Sequence, residues 1–304
     1  MFDYKLLAAL AAVVEQAGFE RAAQVLGLSQ SAVSQRIKLL EARLGQPVLL
    51  RGTPPQPTEA GRRLLNHVQQ VRLLERNLQG QVPGLESGGV PERLRIALNA
   101  DSLATWWAPA VSRFCAGEQV LLELVVEDQA VGLKRMRAGD VAACVCASEV
   151  PVAGARCVAL GAMRYLALAS PDFIARYFPG GFQVERLPLV PAIVFGADDR
   201  LQHRYLASLG LAEGFVHHLC PSSEGFVQLA SAGLGWGLMP ALQVRGQLAR
   251  GELVELLPGR HVDVPLYWHH WRQGGELLEN LTRHLRRAAS GGLIPIGWSG
   301  KDRA

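Results

Sequence analysis

The chain has 304 residues, 49% hydrophobic and 19% charged, with a formal net charge of +4. This composition excludes wholesale disorder, and the length implies about two domains. No run approaches the ~18 apolar residues of a membrane span. Five cysteines without a CxxC pair suggest neither a disulfide framework nor a zinc site.

The charge is unevenly placed. Residues 1–80 hold 10 Lys+Arg against 6 Asp+Glu, and the remaining 224 hold 21 of each. The whole excess lies in the first part, as phosphate binding requires. Leu6 to Val14 is an apolar run, but Asp3 precedes it and no A-x-A site follows, so it is not read as a signal peptide. Leu7, Leu10 and Val14 instead fit the inward face of a first helix. Free thiols then agree with a cytoplasmic location.

From Gly18 to Arg51 the spacing predicts two helices joined by a tight turn. Phe19, Ala22, Ala23 and Leu26 share one face, and Gly27 stands where a left-handed residue ends a helix. Ser29 is placed to N-cap a second helix, whose inward stripe is Val33, Ile37, Leu40 and Leu44. Its other face shows Gln30, Ser31, Ser34, Gln35 and Lys38. Short hydroxyls and glutamines suit a major groove, where Gln pairs bidentately with adenine. Periodicity alone also allows an ordinary solvated helical hairpin. Pro47 to Pro57 then reads as a short two-stranded wing, with Arg51 placed to approach a phosphate or the minor groove. Thr58 N-caps a long helix with Glu59 in its first turn and a stripe of Leu64, Val68, Val71, Leu74 and Leu78. Gly80 to Pro91, with four glycines and two prolines in twelve residues, is a linker.

Beyond it, strands alternate with helices, which predicts an α/β fold with a parallel sheet. Strands are expected at 94–100, 120–128, 141–147, 189–195, 236–240 and 266–271. Helices are expected at 102–116, 131–138, 225–232 and 277–287. Cys144 and Cys146 share one face of a buried strand. The glycines of Gly233-Leu234-Gly235-Trp236-Gly237 follow a helix and open a strand, the reverse of a dinucleotide-binding loop. No catalytic constellation, metal set or cofactor motif is found; the residues of the pairs His217-His218 and His269-His270 point to different faces of any regular element.

Open α/β sheets bind ligands beyond the carboxyl ends of their strands, near helix N-termini. Candidate ligand residues are therefore Asn99, Asp101, Ser102 and Thr105 after the first strand, and Glu127 and Asp128 after the second. Asp198 and its neighbour Asp199, and Ser222, Ser223 and Glu224, complete the set. Taken singly these read as N-caps and solvated carboxylates. Converging on one crevice, they favour a zwitterion with an extra positive charge.

The ordered run AAQVLGLSQSAVSQRIKLLEARLGQPVLLR, followed by PTEAG, resembles the winged helix-turn-helix of LysR-type transcriptional regulators. The alternating second part, with its GxGxxxxP turn ending at Pro240, is similar to their effector domain. NADSLATWWAP, VEDQ, SSEGFVQLA and LYWH resemble the ArgP/LysG branch, whose members respond to lysine and arginine and control basic amino-acid export; some were described as inhibitors of chromosome initiation.

The resemblance implies an N-terminal winged helix-turn-helix at 1–58, a dimerising linker helix at 59–79 and a hinge at 80–91. A two-lobed, periplasmic-binding-protein-like effector domain follows at 92–290, with lobe I at about 92–164 and 265–290 and lobe II at about 165–264; 291–304 form a flexible tail. It implies a non-enzymatic regulator, without cofactor, that binds double-stranded DNA and a basic amino acid. It further implies a homodimer or homotetramer, with RNA polymerase as a possible partner and no membrane. Two other readings stay open at this point: an origin-binding or architectural DNA binder with little ligand response, and an amino-acid-binding protein without regulatory DNA binding.

Overall fold

The computed structural model describes residues 3–50, 52–81, 92–118, 120–126, 132–138, 140–211 and 214–296. Helix α1 (Tyr4–Glu15) starts where the Asp3 carboxylate accepts from the Lys5 N–H at 3.1 Å. Helix α2 (Phe19–Leu26) stops at Gly27, whose φ of +64° costs glycine nothing. Helix α3 (Gln30–Leu44) opens at Ser29, whose Oγ accepts from the Ala32 N–H at 3.2 Å. Leu7, Leu10, Ala22, Val33, Ile37 and Leu40 form the core between these helices. The buried face of α1 is broader than expected: Leu6, Ala9 and Val13 are buried, while Val14 is only half-buried. The cause is that α2, α3 and the next long helix all pack on α1.

The wing consists of β1 (Leu49–Leu50) antiparallel to β2 (Gln56–Pro57); Arg51 lies outside the described residues. Thr58 ties the wing to helix α4 (Glu59–Gln81). Its hydroxyl donates to the Pro47 carbonyl at 2.9 Å and accepts from the Gly61 N–H at 3.1 Å. A β-carbon at Gly61 would overlap the Val48 carbonyl oxygen, so the helix meets the wing only with glycine there. The expected apolar stripe of α4 is not buried as a unit. Val68 joins the N-terminal core, but Leu73, which lies off the stripe, joins the core of the second part, while Leu74 and Leu78 remain 48% and 52% exposed. The linker residues 82–91 lie outside the described residues.

Strand β3 (Glu92–Leu98) leads into α5 (Ala100–Ser102), which runs through a π-helical stretch, Leu103–Trp107, into α6 (Ala108–Gly117). Then follow β4 (Val120–Val126), α7 (Gly132–Ala138) and β5 (Ala143–Cys146). Strand β3 is parallel to both β4 and β5, as expected. The rest of the sheet departs from the parallel expectation. Strand β6 (Ala155–Ala169) spans fifteen residues, pairs antiparallel with β11 (His261–Trp271), and joins Gly237–Pro240 and Val254–Glu255 to the same seven-stranded sheet. The residues of β6, ARCVALGAMRYLALA, carry neither an alternating nor a helical pattern, because most are buried on both faces.

Between the two long strands lie α8 (Pro171–Tyr177), β7 (Ala192–Val194), α9 (Leu201–Ser208) and β8 (His217–Leu219). They are followed by α10 (Ser223–Ser231), β9 (Gly237–Pro240), α11 (Arg245–Ala249) and β10 (Val254–Glu255). Strands β7 and β8 form a small parallel sheet of their own. The glycine-rich turn after α10 is structural. A β-carbon at Gly235 would come within 2.9 Å of the Pro191 carbonyl, and one at Gly237 would enter the Phe226 ring. Helix α12 (Gly275–Ser290) closes the chain's last layer.

The chain beyond α12 corrects the expectation of a flexible tail over 291–296. Leu293 is 6% exposed, and Ile294 exchanges two backbone hydrogen bonds with Ala162 of β6, at 2.7 and 2.9 Å. Gly161 makes room for it, with φ of +136° and no side chain to meet Leu293. Residues 297–304 lie outside the described residues. Among the described residues, no helix is long and apolar enough to cross a membrane, and no group of His, Cys, Asp or Glu is placed to hold a metal.

Candidate functional site

The outward face of α3 presents what its sequence suggests. Gln30, Ser31, Gln35 and Lys38 are exposed, and Ser34 is half-buried. The Ser31 hydroxyl lies 3.0 Å from that of the capping Ser29, so the start of the helix is held by a small hydroxyl pair. The helix stands on Val33, Ile37 and Leu40, all buried, which fixes the direction in which Ser34, Gln35 and Lys38 project. These polar groups form the outward face of α3.

The second candidate is a cavity of about 460 Å3. Its floor is the pair of long strands, through Tyr165 of β6 and Val264 of β11. Asn99 and Asp101 reach it from the end of β3, Asp198 and Asp199 from the segment before α9, and Ser223 from the start of α10. A volume of this size suits a small organic ligand. Phe195, Phe226, Leu238 and Met239 line it as well, so a stem of methylene groups finds apolar walls.

Asp101 is the chemical centre. Its Oδ2 accepts from the Tyr165 hydroxyl at 2.7 Å and its Oδ1 lies 2.7 Å from the Ser223 hydroxyl. Burial pushes its carboxyl above the usual carboxylate range; the Ser223 and Tyr165 hydrogen bonds pull it back, and the charge of Asp199 pushes it up again. Among the described residues no cation is paired with it. Asn99 is 5% exposed, and both its Oδ1 and its Nδ2 are buried without a hydrogen-bond partner. Although it precedes α5, Asn99 does not cap it with its side chain. An amide so placed is costly unless a ligand meets it.

The cavity therefore gathers Asn99, Asp101, Asp198, Asp199 and Ser223 of the expected set. Four expected residues do not line it. Ser102 is fully buried, and its Oγ accepts from the Trp106 indole at 3.2 Å, because it sits on the inward side of the helix. Thr105 spends its hydroxyl on the Asp101 backbone carbonyl at 2.6 Å. Ser222 is an exposed N-cap of α10, accepting from the Gly225 N–H at 3.1 Å, and Glu224 is exposed beside it. Glu127 and Asp128 lie outside the described residues. Sequence reasoning missed Tyr165, Gln243, Arg200 and Arg204, which also line the cavity. Tyr165 and Gln243 carry no local signal; the two arginines lie one and five residues after Asp199, a cationic counterpart that a search for acidic groups passes over.

Comparison with known proteins identifies both parts of the chain. Residues 4–62 match the bacterial regulatory helix-turn-helix protein, lysR family, and residues 87–290 match the LysR substrate binding domain. The chain is 74% identical to the HTH-type transcriptional regulator ArgP of Pseudomonas fluorescens (strain Pf0-1) over 296 residues, covering 97% of this chain and 100% of that protein. The crystal structure of ArgP from Mycobacterium tuberculosis superposes with a TM-score of 0.79 at 38% identity, covering 97% of this chain and 100% of that one. Full-length LysG from Corynebacterium glutamicum with bound effector Arg gives 0.69 at 34% identity, with the same coverage. The chain belongs to the LysR family of DNA-binding transcriptional regulators.

Proposed function

We propose that this regulator senses lysine or arginine in the cavity around Asp101, and that α3 reads the major groove of its operator through Gln30, Ser31, Ser34, Gln35 and Lys38, with Arg51 on the backbone. The observation that carries the effector reading is a half-buried carboxylate without a cation among the described residues, in one cavity with an unpartnered buried amide. In this reading the ligand's ammonium or guanidinium meets Asp101, with Asp198 and Asp199 near it. Asn99, with Arg200 or Arg204, receives its carboxylate and amino group. The arginine bound to the Corynebacterium LysG supports the ligand class.

The working unit we infer has the winged domain at 1–58, the linker helix at 59–79, the hinge at 80–91 and the effector domain at 92–290. Its two lobes divide near 164/165 and 264/265, positions that lie side by side where Val264 faces Met163. We infer a homodimer or homotetramer working in the cytoplasm; the exposed Leu74 and Leu78 on α4 support the assembly, as does the small size of one winged domain, which alone makes too few contacts for tight specific binding. RNA polymerase is the expected further partner, and a basic amino-acid exporter gene the expected target. Isothermal titration of the full chain with lysine, arginine and neutral amino acids tests the reading. Binding of the basic pair alone is expected. If none binds while operator DNA does, the chain is an architectural or origin-binding protein with little ligand response.

A further inference from the structure

The hydroxyl of Ser223 faces two acceptors, Asp101 Oδ1 at 2.7 Å and Gln243 Oε1 at 3.0 Å, and it has one hydrogen. The amide of Gln243 is not free to turn, because its Nε2 donates to the Ser223 backbone carbonyl at 3.1 Å. Both short contacts are satisfied together only if a second proton sits between Asp101 and Ser223. The arrangement is then Asp101 Oδ1–H to Ser223 Oγ, and Ser223 Oγ–H to Gln243 Oε1, with the Tyr165 hydroxyl donating to Oδ2. The other groups facing Asp101 are charged but do not replace that proton. The segment before α9 brings Asp198, Asp199 and Arg200, and α9 itself brings Arg204; Asp199 opposes a second negative charge. Strand β6 offers only Tyr165, and α10 only Ser223.

We propose that Asp101 holds a proton before the effector arrives, through the Ser223–Gln243 relay, and that a cationic effector enters by exchanging its own charge for that proton. This rests on the effector reading above and adds to it the device that separates a cationic side chain from a neutral one of the same shape. The exchange balances: the ligand's cation enters, one proton leaves to solvent, and the net charge of the cavity is unchanged. A neutral analogue displaces no proton and leaves the relay closed. Gln243 is a positioning residue. It engages the Ser223 hydrogen and so denies it to an ionised Asp101.

Calorimetry of the full chain with arginine and with citrulline, in buffers of different ionisation enthalpy between pH 5.5 and 8, tests this. The expected result for arginine is release of up to one proton, with affinity rising by up to about tenfold per pH unit while Asp101 stays protonated. Citrulline should release none. Asp101→Asn should abolish both the proton release and the pH dependence. Gln243→Leu frees the Ser223 hydroxyl for the ionised carboxylate, so it should reduce the proton release at a given pH, which a merely structural role would not do. Arginine binding with the same affinity and no proton release across this range would overturn the relay and leave the effector reading intact. Citrulline binding as tightly as arginine, or no binding by either amino acid, would overturn both.

Discussion

Replacing Asp101 by Asn separates what this residue does for the fold from what it does for a ligand. The residue is half-buried, desolvation pushes its titration up, and both oxygens are engaged by Tyr165 and Ser223 at 2.7 Å. An asparagine reproduces the protonated pattern, its Oδ1 accepting from Tyr165 and its Nδ2 donating to Ser223, so no cavity or orphaned group is created. The sign follows from linkage. A carboxyl raised in the folded state makes the protein less stable as pH climbs above the unfolded value of about 3.9, until its folded titration point is passed. The variant lacks that loss. Its melting temperature should therefore equal the parent's near pH 4 and exceed it increasingly toward neutral pH. Each kcal/mol relieved corresponds to about 2–4 °C for a unit of roughly 200 residues. Affinity for arginine should fall at the same time, by about 1.5–3 kcal/mol for a lost charge-assisted hydrogen bond, or roughly ten- to a hundredfold. Scanning calorimetry across pH and arginine titration on the same preparations give both readings. A variant destabilised equally at every pH, with arginine affinity unchanged, would refute the reasoning and leave Asp101 as part of the scaffold alone.

Other substitutions address the remaining elements. Gln35→Ala should cost about 1–3 kcal/mol at one base pair of each half-site and relax specificity there. Arg51→Ala should weaken all sequences alike and reduce the salt slope by about 1; equal loss on operator and random DNA for both would count against the groove assignment. Gly61→Ala drives a methyl group into the Val48 carbonyl, and overpacking of this kind costs about 1–3 kcal/mol, measurable by thermal melting of the N-terminal helices. Truncation after Ser290 exposes the pocket that Leu293 fills and frees Ala162 on β6, so the second part should lose roughly 1.5–3 kcal/mol in denaturant unfolding.

The N-terminal domain was legible because its signals act over three or four residues. The Ser29 cap, the left-handed Gly27, the Thr58 cap and the polar face of α3 all depend on near neighbours, and each holds in the fold. That α4 feeds two cores, the second through Leu73 off the expected stripe, was not legible. Val68 and Leu73 are both simply apolar residues of one helix, and only the packing of distant elements sends one to each core. Strand β6 was hidden because burial on both faces erases the alternation by which strands are recognised.

The cavity divides in the same way. Chain order places Asn99 and Asp101 after a strand and Ser223 at a helix start, and both places were expected to face a crevice. That Ser223 meets Asp101 across 122 residues, and Tyr165 meets it across 64, is a property of the tertiary structure alone. So is the rotation that turns Ser102 inward to Trp106 while its neighbour Asp101 opens to the cavity. Successive residues of a helix are about 100° apart, and which of them faces a ligand is decided by what the helix packs against rather than by its own sequence.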